Sequence, residues 1–354
     1  MSQQRLNILV TAIGGAGQGD QILKALRLAK NHSYRILGTD IDALCPQRSL
    51  VDYFETLPMA TAPHYLDSVI TLCKREDVDV IFVGCEPELI VLAHNRDHFQ
   101  DLDIYLPIQP TPVIDLCIDK IATSTRLREL GWHTPESHRI SELGDLDLVQ
   151  RFPVVLKPVT GGGGSTGVHI AQSPTELRAL WNFLIFETNI PAYMVQEYVG
   201  TPENEFTVGV LHDSAGTYIN GIGLRRYLKG GLSVRLNTVN RTGREELGSR
   251  LVISTGISQG TIGRFDSVIS QCREIAEGFE STGPMNIQCR VIDDQINVFE
   301  INPRLSGTTS MRALVGLNEP DLMIRRHVFG ETMVQDELYQ EAVIRRTLSE
   351  YIVT

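Results

Sequence analysis

The most specific chemical signal in the sequence is a lysine that ends an apolar run and precedes a glycine-rich segment. The run Phe152–Lys157 has the pattern of a buried strand, and four consecutive glycines, Gly161–Gly164, follow it. A strand would hold the ammonium group of Lys157 rigidly, while glycines let backbone N–H groups fold over phosphate oxygens. The segment is not a P-loop, because no Gly-Lys-Ser/Thr opens a helix after it. A surface hairpin is the alternative, but it leaves the lysine unexplained, so the pattern favours triphosphate binding.

Oxygen-bearing side chains on two predicted strands near the C-terminus indicate a site for a hard metal ion. Gln288 lies on the first strand, and Glu300 and Asn302 lie two residues apart on the second. Because alternate residues share one face of a strand, the three side chains meet if the strands pair. One carboxylate and two amides suit Mg²⁺, and Arg304 can reach the same phosphates as a planar donor. An isolated glutamate on a strand is usually a surface residue, so this prediction depends on the whole group.

Another glycine-rich segment, Gly14–Gly19, follows the first apolar run. With Asp40 at the end of the second predicted strand, it is similar to a dinucleotide-binding turn. The third glycine is displaced, however, and Asp20 at the helix start is unfavourable for a pyrophosphate. Three interpretations stay open: an NAD(P) or FAD site, a tight strand-to-helix turn, or contact of Gly15 and Gly17 with an acceptor substrate. We prefer the third.

Composition limits the classes of protein and of partner. The chain has 354 residues, 42% of them apolar and 21% charged, which fits two or three globular domains. A net charge of −11, from 32 basic and 43 acidic residues, argues against nucleic-acid and anionic-membrane partners. No apolar stretch reaches the roughly 18–20 residues of a membrane span, and Met1–Asn7 shows no signal peptide. Six cysteines without a Cys-x-x-Cys pair predict buried thiols in a reducing compartment, so we expect a cytoplasmic protein.

The elements that must position these residues change in type along the chain. In the first hundred residues, apolar strands alternate with amphipathic helices, which predicts a doubly wound parallel sheet. The predicted strands there are Leu6–Ile13, Tyr34–Asp40, Val78–Gly84 and Ile104–Leu106, and the helices are Asp20–Lys30, Tyr65–Lys74 and Glu86–Asn95. Three prolines in Pro107–Pro112 predict a boundary or hinge.

Beyond this boundary the pattern is α+β, with mostly antiparallel strands. The predicted helices are Asp119–Gly131, Pro174–Glu187 and Asp266–Ser281. The predicted strands are Phe152–Lys157, Gly167–Ala171, Tyr193–Tyr198, Glu205–His212, Tyr218–Leu224 and Leu232–Val239, and the hairpin joins Met285–Val291 to Gln295–Ile301. Residues 240–264 receive no assignment.

The order and spacing of these motifs resemble the ATP-grasp superfamily over nearly the whole chain. The matching segments are Asp119-Lys120, Phe152–Lys157 with its glycine loop, Gln196-Glu197-Tyr198, Glu205-Phe206, Asn286-Ile287-Gln288 and Glu300-Ile301-Asn302-Pro303-Arg304. Within that superfamily the chain is similar to a single synthetase unit of the carbamoyl phosphate synthase large chain and to related stand-alone carboxylate–amine ligases. The resemblance implies an α/β and α+β protein, a Rossmann-like pre-ATP-grasp domain followed by a two-lobed ATP-grasp fold. The expected division is 1–112 for the Rossmann-like domain, 113–195 for a linker helix and lid subdomain, and 196–354 for a catalytic subdomain with C-terminal helices.

The resemblance also implies roles for individual residues. ATP binding falls to residues that hold phosphates, cover them or line the adenine hinge and ribose: Lys120, Lys157, Gly162, Gly163, Gly164, Glu197, Val199 and Glu205. The metal ligands are Gln288, Glu300 and Asn302, with Mg²⁺ as the expected ion and Mn²⁺ as a second choice. The catalytic residues are Arg304, Lys157 and Arg235. Substrate contacts fall to Gly15, Gly17, Arg225, Arg226 and Ser306.

The implied activity is an ATP-dependent ligation of a small carboxylate to an amine through an acyl phosphate, with release of ADP and phosphate. Amino acids are the default substrates, the carboxylate and amine themselves are not specified, and a homodimer is the expectation from relatives. With one synthetase unit, we do not expect this chain to make carbamoyl phosphate alone. Two alternatives stay open: an ATP-binding sensor or scaffold without ligase activity, and an NAD(P)-dependent oxidoreductase that uses the first glycine loop and Asp40. The second alternative leaves Lys157 and the metal ligands unexplained.

Overall fold

The computed structural model describes residues 5–15, 17–161, 163–187, 190 and 192–353, with the side chain of residue 187 left out. Its N-terminal part is a parallel sheet of β1 (Asn7–Val10), β2 (Arg35–Asp40), β3 (Tyr53–Thr56) and β4 (Val80–Phe82), in the order β3-β2-β1-β4. The helices α1 (Gln18–Arg27), α2 (Tyr65–Arg75), α3 (Glu86–His94) and α4 (Arg96–Gln100) accompany it. Alternate residues of the sheet supply two apolar clusters, because Ile8 and Val10 join one and Leu9 joins the other. The doubly wound parallel sheet is therefore confirmed.

The prolines of the expected boundary begin a helix. Pro110 is the N-cap of α5 (Thr111–Ile118), and Pro112 lies in its first turn, where a missing N–H costs no helical hydrogen bond. The next helix, α6 (Lys120–Glu129), is capped by Asp119, whose Oδ1 accepts from the N–H groups of Ile121 (2.8 Å) and Ala122 (3.0 Å).

A small antiparallel sheet follows, with the strand order β5-β8-β6-β7. Its strands are β5 (Ser137–Ile140), β6 (Val154–Pro158), β7 (His169–Ala171) and β8 (Tyr193–Glu197), and α7 (Pro174–Glu187) packs against it. Leu156 of β6 and Trp181 of α7 belong to the apolar cluster between helix and sheet. This cluster anchors the strand that carries Lys157.

The C-terminal half is built on an antiparallel sheet of six strands in the order β15-β14-β9-β10-β13-β16. The elements of this half are β9 (Glu205–His212), β10 (Tyr218–Arg226), β11 (Val234–Val239), β12 (Arg250–Ser254), β13 (Gly260–Gly263), α8 (Asp266–Gly278), β14 (Pro284–Ile292), β15 (Gln295–Asn302), α9 (Thr309–Leu314), α10 (Glu319–His327) and β16 (Ala342–Ile344). The strands β11 and β12 form a separate pair. The predicted hairpin is confirmed as β14 and β15, and the unassigned residues 240–264 contain β12 and β13.

Two findings bear on the predictions from composition. Within the described residues, no helix is long and apolar enough to cross a membrane. All six cysteines are free, and five of them are buried, as expected for small apolar side chains.

Candidate active site

A cavity of about 400 Å³ lies where the three larger sheets meet. The predicted site residues that line it are Gly15, Gly17, Lys120, Lys157, Gly163, Gly164, Glu197, Val199, Glu205, Arg226, Gln288, Glu300, Asn302, Arg304 and Ser306. Gly162 lies outside the described residues. The structure thus brings together in one cavity residues that the sequence separates by up to about three hundred positions.

Lys157 joins the small sheet to the six-stranded sheet. It lies on β6 and is buried, and its Nζ donates to Gln196 Oε1 (2.8 Å) and to the carbonyl oxygen of Phe299 (3.0 Å). That carbonyl is accessible because a register shift of β15 against β14 leaves Phe299 without an opposing residue. Burial lowers the pKa of Lys157 to about 8; Glu300 opposes this decrease, and the positive charge of Lys120 adds to it. The lysine is thus a desolvated cation, held at the cavity wall.

The glycine loop after β6 contacts the end of β12. Ser165 Oγ donates to the carbonyl oxygen of Ser254 (2.7 Å), and a Cβ on Gly256 would lie 3.1 Å from the Cα of Gly164. Gly164 has φ of 69°, a left-handed conformation that favours glycine. Lys120 Nζ donates to the carbonyl oxygen of Gly161 (2.9 Å) at the base of the loop. The loop and two lysines therefore border the same end of the cavity.

The predicted adenine hinge is held in place by arginines that the sequence did not single out. The carboxylate of Glu197 pairs with Arg244 (3.0 Å) and Arg151 (3.2 Å), so it is engaged by other side chains of the protein. Arg290 Nη1 donates to the carbonyl oxygen of Val199 (3.1 Å).

Glu205, which was expected at the ribose, is buried and engaged by two arginines. Its Oε2 accepts from Arg290 Nε (3.2 Å) and Nη2 (3.0 Å), and its Oε1 lies 3.5 Å from Arg226 Nη1. The structure therefore favours a positioning role for this carboxylate. Its arginine partners come from other strands, so no local sequence signal indicated the pairing.

The predicted metal ligands lie side by side. Gln288 pairs with Glu300 across β14 and β15, and their side chains bond through Gln288 Nε2 and Glu300 Oε2 at 3.1 Å. Asn302 Nδ2 donates to the other carboxylate oxygen at 3.3 Å. The donor set, one carboxylate and two amides on one face, fits a hard divalent cation. For both amide oxygens to face Glu300, the amides must turn about their terminal bonds, because their nitrogens point to the carboxylate.

Arg304 lies between the metal ligands and the N-terminal domain. Its Nη2 donates to Asn302 Oδ1 (2.8 Å). The Gln18 amide bridges Arg304 and the N-terminal domain when its oxygen faces Arg304: it then accepts from Arg304 Nη2 (3.0 Å) and donates to the Gly84 carbonyl oxygen (2.7 Å). Gln18 and Glu86 also line the cavity, although the sequence did not indicate either of them as a site residue. The signal that could have found Glu86 is its position at the start of the helix that follows a buried parallel strand.

The structure does not bring Arg225 or Arg235 to the cavity. Consecutive residues of a strand point to opposite faces, so only one of the adjacent arginines on β10 can face it. That residue is Arg226, which donates from Nη2 to the Thr255 carbonyl oxygen (2.6 Å) and from Nη1 to Gln288 Oε1 (3.3 Å). Arg225 is exposed, with its guanidinium 6.0 Å from the ring centroid of Phe265. Arg235 is exposed on β11 and lies outside the cavity lining.

The first glycine loop forms a tight strand-to-helix turn that borders the cavity. A Cβ on Gly19 would lie 2.2 Å from the carbonyl oxygen of Ala12, so tight strand-to-helix packing requires that glycine. Asp40 Oδ2 accepts from the Gly14 N–H (2.8 Å), which commits this carboxylate to the loop and away from a ribose. Gly15 and Gly17 face the cavity, as the acceptor-contact interpretation requires.

Two family models match the sequence. The PylC-like N-terminal domain matches residues 8–106, and the ATP-grasp family of the biosynthetic pathway with the Ter operon matches residues 189–348. Residues 189–348 of this chain therefore belong to the ATP-grasp superfamily. The fold class predicted from the sequence is thereby confirmed, and so is the ATP-grasp family for the matched residues. The domain boundaries and the individual site residues stay predictions.

Solved structures with the ATP-grasp fold are similar over most of the chain. Biotin carboxylase from Campylobacter jejuni has a TM-score of 0.65 at 15% identity, covering 94% of this chain and 73% of its own. L-amino acid ligase from Bacillus licheniformis has a TM-score of 0.64 at 16% identity, covering 94% and 76%. N5-carboxyaminoimidazole synthetase from Staphylococcus aureus, complexed with ADP, has a TM-score of 0.64 at 15% identity, covering 97% and 82%. These identities show the shared fold alone, and none of the curated proteins matches.

Proposed function

We propose that this ATP-grasp protein is a carboxylate–amine ligase that forms an amide through an acyl phosphate and releases ADP and phosphate. The observation that supports it best is the convergence of Lys157 from the small sheet with Glu300 and Arg304 from the six-stranded sheet on one cavity. Phosphoryl transfer requires positioned cations and metal ligands near the phosphates, and this cavity contains cationic side chains and a possible set of metal ligands.

The proposed reaction has two steps. A carboxylate oxygen of the first substrate attacks the γ-phosphorus of ATP, the bond from phosphorus to the bridging oxygen breaks, and ADP leaves. The nitrogen of the amine then attacks the acyl carbon and loses a proton, while phosphate leaves with its bond to carbon broken. The protein itself forms no covalent bond in either step. It accelerates the reaction by positioning the reactants and by stabilising the charge of the transition state.

Different residues of the cavity would hold different parts of the nucleotide. Lys157 and Lys120 hold phosphate oxygens beside the glycine loop, and the backbone at Glu197 and Val199 holds the adenine edge. Gln288, Glu300 and Asn302 would hold Mg²⁺, which offsets phosphate charge when bound. Arg304 steadies the transferred phosphoryl group.

We also propose the division of the chain at residues 112 and 195, and a cytoplasmic location, which the six free cysteines support. The carboxylate and the amine are proposed to be small molecules, with amino acids as the first class to test. A homodimer stays a prediction.

The test is ADP formation from Mg·ATP with pools of amino acids and small carboxylates. Lys157→Ala and Glu300→Ala should each lower substrate-dependent ADP formation by about a hundredfold or more, the usual effect of removing a transition-state contact. Arg225→Ala, on the far face of β10, is the matched control. If both site variants keep wild-type turnover, the proposal is wrong. ATP binding without any substrate-dependent ADP would instead support a sensor or scaffold.

A further inference from the structure

Glu86 lies at the point of the N-terminal sheet where the strand order reverses. The chain runs from β1 to β2 and β3 on one side and then returns to β4 on the other side of β1. In open parallel sheets this switch point opens a crevice beyond the carboxyl ends of the strands, where ligands bind. Gly15 and Gly17 follow β1, Glu86 follows β4, and all three line the cavity.

The carboxylate of Glu86 differs from the others that line the cavity. Glu197 and Glu205 pair with arginines, and Glu300 accepts from two amides. Glu86 is half-buried and has no hydrogen bond or ion pair with any side chain or backbone group that the structure describes. A carboxylate at a cavity wall without a protein partner is available to a cationic group of a ligand.

The surroundings of Glu86 carry the opposite charge as well. The guanidinium of Arg304 lines the same cavity as Glu86, and its Nη2 donates to Asn302 Oδ1 (2.8 Å). The hydroxyl-bearing Ser306 and Thr308 line the same cavity. This end therefore offers one carboxylate and one guanidinium to a small molecule, which suits a ligand that carries both an ammonium and a carboxylate group.

We infer that Glu86 binds the protonated amine of the carboxylate substrate, and hence that this substrate is an amino acid. The inference rests on the proposed ligase function and adds a substrate class and a specificity-determining residue. With the ammonium on Glu86, the carboxylate of the same molecule extends towards Arg304 and the metal ligands, where phosphoryl transfer is proposed.

A role limited to the stability of α3 is the competing explanation. Glu86 lies in the first turn of that helix, where a negative charge interacts favourably with the helix dipole. Such a role would affect unfolding and leave substrate discrimination unchanged. Asp67, an exposed carboxylate in the first turn of α2, provides a matched control.

The experiment compares wild type, Glu86→Gln and Asp67→Asn on paired substrates. Each amino acid is paired with the carboxylate that lacks its α-amine: alanine with propionate, phenylalanine with 3-phenylpropionate and glutamate with glutarate, using both enantiomers. Hydroxylamine serves as the amine, so that acyl phosphates are trapped as hydroxamates while ADP is measured. The wild type should prefer the amino acid of at least one pair. Glu86→Gln should raise the KM for that amino acid about tenfold to a hundredfold, the range for a hydrogen bond to a charged group. The KM for ATP should stay within twofold of the wild-type value.

Each other result has a defined meaning. The inference is overturned if wild type uses the α-amine-free carboxylates equally well, or if Glu86→Gln and Asp67→Asn behave alike. A change in KM for the amine alone would also overturn it, because Glu86 would then hold the second substrate. If neither series gives ADP, the ligase proposal itself fails, and the inference fails with it.

Discussion

Lys157 gives a prediction that needs no knowledge of the substrates. The lysine is buried, and its pKa is lowered to about 8 by burial, so it loses its charge as the pH rises through about 8. Nucleotide phosphates favour its protonated form, so nucleotide affinity should fall as the pH rises through about 8. A lysine of ordinary pKa, about 10.4, would remain charged over that range and cause no such change.

The size of the effect follows from the protonated fraction. With a pKa of about 8, roughly nine-tenths of the lysine is charged at pH 7 and about one-tenth at pH 9. If only the charged form binds, the apparent Kd for Mg·ADP should rise about tenfold between these values, or about 1.4 kcal/mol. Both values lie above the pH of about 6 at which a phosphate loses its last proton, so the nucleotide charge changes little.

The assay is calorimetric titration with Mg·ADP at pH 7, 8 and 9, on wild type and Lys157→Arg. Because the arginine stays charged, the Kd of Lys157→Arg for Mg·ADP should not change with pH. That Kd should be higher than the wild-type value at pH 7, because the guanidinium group is larger than the ammonium group. A wild-type Kd that is constant from pH 7 to 9 would refute the reasoning. So would an equal slope in Lys157→Arg, because another group would then be titrating.

Four further substitutions have defined outcomes. Glu300→Gln removes the one carboxylate among the predicted metal ligands, so ADP formation should fall at least a hundredfold at saturating Mg²⁺, as steady-state assays would show. Arg346→Ala removes hydrogen bonds to Gly307 at the cavity and to α1 of the N-terminal domain. The free energy of unfolding, measured by urea titration, should therefore fall by about 1–3 kcal/mol. The KM for ATP should not change. Arg225→Ala and Arg235→Ala should each keep kcat/KM within twofold of wild type, since neither side chain reaches the cavity, and a tenfold loss in either would contradict that placement.

Much of the site was predictable because strand periodicity is local. Residues two apart on a strand share a face, so Glu300 and Asn302 had to face the same side, and the β14–β15 hairpin adds Gln288 directly opposite Glu300. Lys157 was recognisable because a charge in an apolar run needs an explanation. The accessible carbonyl of Phe299 was not, because it depends on a register shift between paired strands.

The features that sequence did not reveal depend on long-range contacts or weak local patterns. β3 was missed because its residues are half-exposed and carry no apolar run. The arginines that hold Glu205 come from β10 and β14, and no spacing in the sequence indicates such pairs. The choice between Arg225 and Arg226 depends on which face of β10 meets the cavity, which only the assembled sheet defines.

The fate of the carboxylate oxygen tests the central claim most directly. A pool of amino acids labelled with ¹⁸O in their carboxylates would be incubated with the protein, Mg·ATP and hydroxylamine, and the nucleotide and phosphate products analysed by mass spectrometry. An acyl phosphate pathway predicts ADP together with phosphate that carries one ¹⁸O, because the leaving phosphate retains the attacking carboxylate oxygen. Label in AMP, with pyrophosphate as the second product, would show adenylation and contradict the account.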